Sequence, residues 1–149
     1  MPKSSPLSKS QKRVLDDALR LVRDQRRRAD AEGAPFAPDQ AWTTPFGLGY
    51  FVGAVDGLCQ AHGVPFDGMA LAILGLVLDD TFRRPQSDRL RQKAIDLLEA
   101  GDADFARGRP WGGNEAIGMQ RGLMKPVGLV HLAQGHENRM GGPVGGPAA

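Results

Sequence analysis

Cys59 and His62 stand three residues apart, a spacing that puts a thiol and an imidazole on one face of a helix. Such a pair could act as an activated nucleophile, or join His131 and His136 in a Cys/His metal site. No second Cys-x-x-Cys or His-x-x-x-His pair accompanies it. A small core cysteine beside a histidine favoured at the negative end of a helix accounts for both residues without chemistry. Asp79 and Asp80, with Asp56 and Asp67, could make a divalent-cation or acid/base cluster. Arg83 and Arg84 follow at i+4, so ion pairing at a helix end explains Asp79 and Asp80 more simply. We expect no metal and no cofactor.

The segment Arg109-Pro110-Trp111-Gly112-Gly113-Asn114-Glu115 reads as a loop before a helix capped by Asn114. Gly112, Gly113 and Asn114 could then turn free amides toward an anion. The longer glycine spacing with Lys-Ser/Thr that marks a phosphate loop is missing. For nucleic acid, Lys12, Arg13, Arg20, Arg23, Arg26, Arg27 and Arg28 offer non-specific phosphate contact along the N-terminal helix. Asp16, Asp17, Asp24 and Asp30 interrupt that face, and neither aromatic interleaving nor zinc-finger spacing supports it. The sequence holds no G-x-S-x-G, H-E-x-x-H, dinucleotide fingerprint or EF-hand loop.

The least ordinary pattern is structural. Gly49, Gly53, Gly57 and Ala61 recur every four residues, one drifting stripe along a helix. Each internal glycine costs about 0.8–1 kcal/mol of helix propensity, which close approach of another helix would offset. Gly75, Gly118 and Gly122 are the expected facing positions. The stripe packs either within the chain or against a second copy, and self-association through it is one expectation.

Local signals set out the elements that carry these residues. Ser8-x-x-Gln11 forms a capping box ahead of a helix over about 9–31. A connector with Pro35 and Pro38 follows, and Thr44-Pro45 opens a helix running to about 62. Asp67 caps a helix over about 68–83, and Ser87 caps a fourth that Gly101 closes. Asp102–Arg107 adds a short turn, a fifth helix starts at Asn114, and Pro126 breaks it before a short piece over 127–134. Residues 1–8 read as a flexible arm and 135–149 as an unfolded Gly/Pro-rich tail, leaving 9–134 as one domain.

Composition agrees with helices. The 149 residues include 18 Ala and 16 Leu against 15 Ile, Val and Thr together, a balance that disfavours a sheet. The expected fold is all-α: an irregular five- to six-helix bundle around a buried Gly-rich hairpin (about 45–62 and 68–83). Both hairpin helices are shorter than the ~20 apolar residues of a membrane span, and Asp56 interrupts the first. One cysteine rules out an internal disulfide, and no apolar signal segment opens the sequence, so a cytoplasmic protein is expected. Net charge is segregated: residues 1–30 sum to +5, 31–82 to −6 and 83–149 to +3. These features favour a non-catalytic helical interaction or assembly module with a protein partner or a second copy. One alternative is a basic accessory protein touching nucleic acid through its N-terminal helix. A second is a small helical enzyme with a site near Cys59, His62 and 109–115.

Overall fold

A computed structural model describes residues 7–136. Among these residues the chain forms helices and no strands: α1 (Lys9–Ala31), α2 (Pro38–Ala41), α3 (Pro45–Ala61), α4 (Gly68–Thr81), α5 (Gln86–Ala100), α6 (Ala103–Gln120) and α7 (Gly128–Ala133). The expected arm, and the tail beyond His136, lie outside the described residues, Leu7 and Ser8 excepted.

Three of the expected caps act where the sequence puts them. Ser8 and Gln11 close a reciprocal capping box on α1. Thr44 Oγ1 accepts the Gly47 amide at 3.1 Å, and Asp67 accepts the amides of Met69 and Ala70. Ser87 departs from the expected pattern. It lies inside α5, buried, and its hydroxyl donates to Asp79 Oδ1 at 2.6 Å. It ties α5 to α4 instead of capping a helix, because α5 already begins at Gln86.

The centre of the bundle is α3, with thirteen of its seventeen residues buried. Its chief partner is α6 and not α4, so the expected 45–62/68–83 hairpin is not the core contact. The reason is steric. A methyl group built on Gly49, Gly53 or Gly57 would collide with the carbonyl of Phe105, Arg109 or Gly113. Built on Gly108 or Gly112, it would collide with the carbonyl of Phe46 or Tyr50. Two glycine stripes therefore press backbone on backbone. The partners advance together along both helices, so α3 and α6 run parallel, and α4 and α5 form the long return connection that parallel neighbours require. Of the expected facing positions, Gly75 meets the Arg91 side chain, Gly118 meets Met124 and Gly122 faces open space.

This contact explains a second departure. Residues 109–115 are not a loop but the middle of α6, which starts at an Asp102 cap and carries Pro110 inside it. Gly112, Gly113 and Asn114 thus lie within the helical ladder, and their amides are not free for an anion. In an isolated helix four internal glycines and one proline would forfeit about 6–7 kcal/mol. Burial of Phe105, Gly108, Gly112 and Ala116 against α3 offsets that loss.

Gly53→Ala and Gly112→Ala should each cost at least the upper end of the ~1–3 kcal/mol typical of overpacking, since backbone and not side chain must move. Gly68→Ala, at the exposed start of α4 with no neighbour in reach, should be neutral or slightly stabilising. Urea unfolding of the three variants measures the contrast, and equal midpoints would refute the backbone contact.

Candidate functional site

Three helices send buried polar side chains to one point beneath α7. Tyr50 of α3 donates its hydroxyl to Glu115 Oε1 of α6 at 2.5 Å and accepts Gln25 Nε2 of α1 at 3.0 Å. Glu115 Oε1 also accepts the amides of Val127 and Gly128, at 3.1 and 2.9 Å. Gln25 Oε1 accepts those of Leu129 and Val130, at 2.7 and 3.3 Å. The first amides of α7, which has no side-chain cap of its own, are thus satisfied from α6 and α1. Trp42 Nε1 donates to the Leu129 carbonyl at 2.8 Å, and Arg28 Nη1 to the Pro126 carbonyl at 2.6 Å. Burial first, then the Glu115 carboxylate, keeps the Tyr50 hydroxyl protonated far above its ordinary range.

This network fixes the turn between α6 and α7. Gly122, at φ 72°, ends α6 with bonds from Gly122 N to Met119 O and from Leu123 N to Gly118 O. That is the Schellman arrangement, in which the residue after the glycine usually packs back on the last helical turn. Here the position it would cover is Gly118, and the Met124 side chain already fills the space over it. Leu123 is left 76% exposed and Met124 43% exposed. Beside them a groove of about 480 Å³ is lined by Met119, Met124 and Pro126, with Arg20, Asp24 and Arg27 of α1 and Lys125 around it. Arg20, Asp24 and Arg27 fall at i, i+4 and i+7, one face of α1.

The other expected site residues are placed as follows. Gly49, Gly53 and Gly57 are occupied by α6 of the same chain, so a second copy could use the stripe only if α6 left it. Ala61 ends α3 exposed, outside that contact. A smaller groove of about 390 Å³ runs over the α3–α6 seam, where Arg109 Nη2 pairs with Asp56 Oδ2 at 3.3 Å. Cys59 is buried, about 200° around α3 from Gly57 and the α6 contact. Burial, then Asp56 and Asp67, raise its thiol to about 11. His62 Nε2 lies 2.9 Å from Asp17 Oδ2 of α1. Among the described residues no three His, Cys, Asp or Glu side chains are grouped to hold a metal.

Several cations of α1 are engaged within the fold. Arg23 makes a two-pronged contact with Asp80 at 2.6 and 2.9 Å. Arg26 donates to the Thr81 carbonyl, and Arg28 to Pro126. Arg20 and Arg27 pair locally with Asp17 and Asp24 on an exposed face, while Lys12 and Arg13 are exposed. The residues that sequence reasoning missed are Gln25, Tyr50, Glu115, Leu123 and Met124. A signal existed for one of them: Leu123 follows a glycine that ends a helix whose third-last residue is also glycine. No helix among the described residues is long and apolar enough to cross a membrane. The chain matches no protein-family model, no curated protein and no solved structure.

Glu115→Ala would strip one acceptor from the Tyr50 hydroxyl and two amides, and should cost about 3 kcal/mol or more. Tyr50→Phe, which spares the amides, should cost about 1–2 kcal/mol. Hydrogen exchange at residues 127–130 should accelerate in the first variant well before global unfolding, and unchanged protection there would show that the network does not hold α7. A thiol raised to about 11 stays protonated in the folded chain at neutral pH. Iodoacetamide should therefore alkylate folded Cys59 at least ~100-fold more slowly than the unfolded chain at pH 7–8. The folded rate should rise about tenfold per pH unit toward that value. Equal rates for the folded and unfolded chains at pH 7–8 would instead mean an accessible thiolate.

Proposed function

We propose that this chain is a non-catalytic helical interaction module, acting in the cytoplasm, that offers its α6–α7 turn to a protein partner. The observation that carries the reading is Leu123, an apolar side chain 76% exposed on a turn held at one end by its own amide bonds to α6 and at the other by Glu115. Exposed large apolar residues are common singly. A cluster beside a groove and rimmed by charge is the mark of a contact surface. Leu123 and Met124 meet that description, with Arg20, Arg27 and Lys125 around them. Because the backbone of the turn is already held, a partner that docks on it orders little main chain on binding.

Two further features fit a binding role. The polar groups that could do chemistry are engaged in holding the fold: Glu115 and Gln25 beneath α7, His62 against Asp17, Cys59 as a protonated core thiol. The single cysteine is free and buried, which suits a reducing compartment.

Photo-crosslinking in the source cell tests the reading. A photoreactive residue at position 123 should give discrete adducts with another protein, and one at exposed Gln92 of α5 should not. The same adducts from both positions, or none from position 123, would sink the proposal.

A further inference from the structure

Resting on the reading of this turn as a contact surface, we propose that its occupant is an acidic amphipathic helix. It would seat its apolar stripe on Met119, Leu123 and Met124 between the cations of α1 and Lys125. Shape and charge both argue for this class. The groove is a trough: α1 forms one wall from Arg20 to Arg27, and the 119–126 segment forms the other. Seven residues of helix span about 10 Å, the length of two turns of a partner anchored at i, i+3 or i+4, and i+7. The floor carries two methionines, side chains that mould to an incoming apolar face.

Charge selects the partner. Three cations and one carboxylate line the trough. The side chains of Arg20 and Arg27 are 61% and 75% exposed, and their pairings with Asp17 and Asp24 are surface contacts that a better-placed carboxylate can replace. An acidic helix lying in the trough meets this positive rim. A flat anionic bilayer, or a nucleic-acid backbone along α1, would also cover the exposed Asp16 and Asp30 and be repelled there. A narrow ligand confined to the trough avoids both carboxylates and meets three cations against the single carboxylate of Asp24.

The test uses the full chain with isotope-labelled methionine methyls. A panel of helical peptides is added, with leucines at i, i+3 or i+4, and i+7 and glutamates on the flanks. A matched panel carries lysines in place of the glutamates. The Met119 and Met124 signals should shift saturably with glutamate peptides, while Met69 on α4 stays still. Affinity should fall with salt. It should drop at least tenfold in the combined variant Arg20→Glu, Arg27→Glu, Lys125→Glu, and likewise in Leu123→Ser, with the Met69 signal reporting an intact fold. Lysine peptides binding equally well, no member of the glutamate panel binding, or phosphatidylserine vesicles shifting the same methyls when peptides do not, would each overturn the inference. Crosslinks from position 123 without peptide binding would defeat this inference and leave the interaction reading standing. Loss of both would defeat the two together.

Discussion

Everything in this bundle depends on the backbone contact between α3 and α6. Glycines on each helix face carbonyl oxygens of the other, at a separation no side chain would permit. The contact gains dispersion and weak Cα–H···O attraction along its length. It also sets topology: the two helices are parallel, so the chain must travel the length of the bundle between them. Helices α4 and α5 make that journey and close other faces of the core, α4 against α1 and α5 against α4. Helix α6 could not persist on its own propensity through Gly108, Pro110, Gly112 and Gly113. It exists as one helix because α3 accepts it.

The second organising feature hangs from the first. Parallel seating of α6 on α3 brings Glu115 beside Tyr50, and α1 completes the group with Gln25. A buried carboxylate is costly unless hydrogen-bonded, and here one oxygen accepts three donors. Two of those donors are the amides that open the α7 segment. The network thus turns a six-residue helix, far too short to be stable alone, into a fixed part of the fold. It fixes the preceding turn as well, with Leu123 and Met124 on the outside.

That arrangement separates structural from available groups. Polar residues that suggested chemistry in isolation, among them Cys59, His62 and several arginines of α1, hold helices together. What the fold leaves unused is apolar: a leucine that its own capping motif would normally cover, exposed because Gly118 offers it nothing to pack against. The cations beside it belong to the exposed edge of α1, which is why the surface combines an apolar floor with a positive rim.

Much of the secondary structure was legible in the sequence, because caps and periodicity are local. Ser8, Thr44 and Asp67 cap where they stand, Gly101 ends α5, and the start of α1 is written in one capping box. The glycine stripe at 49, 53 and 57 was legible too, since a four-residue spacing declares a helix face whatever lies opposite. Its partner was not. Gly108 and Gly112 are hidden by Pro110 and Gly113, whose local preferences say loop, and only tertiary contact overrides them. The same holds for Glu115, which reads as an ordinary acid until α3 and α1 close around it. Residues at helix ends and turns act through neighbours a few positions away, so the sequence alone determined them. The pairing of α3 with α6, the buried network beneath α7 and the exposure of Leu123 join residues far apart in the chain, and the tertiary structure alone decided them.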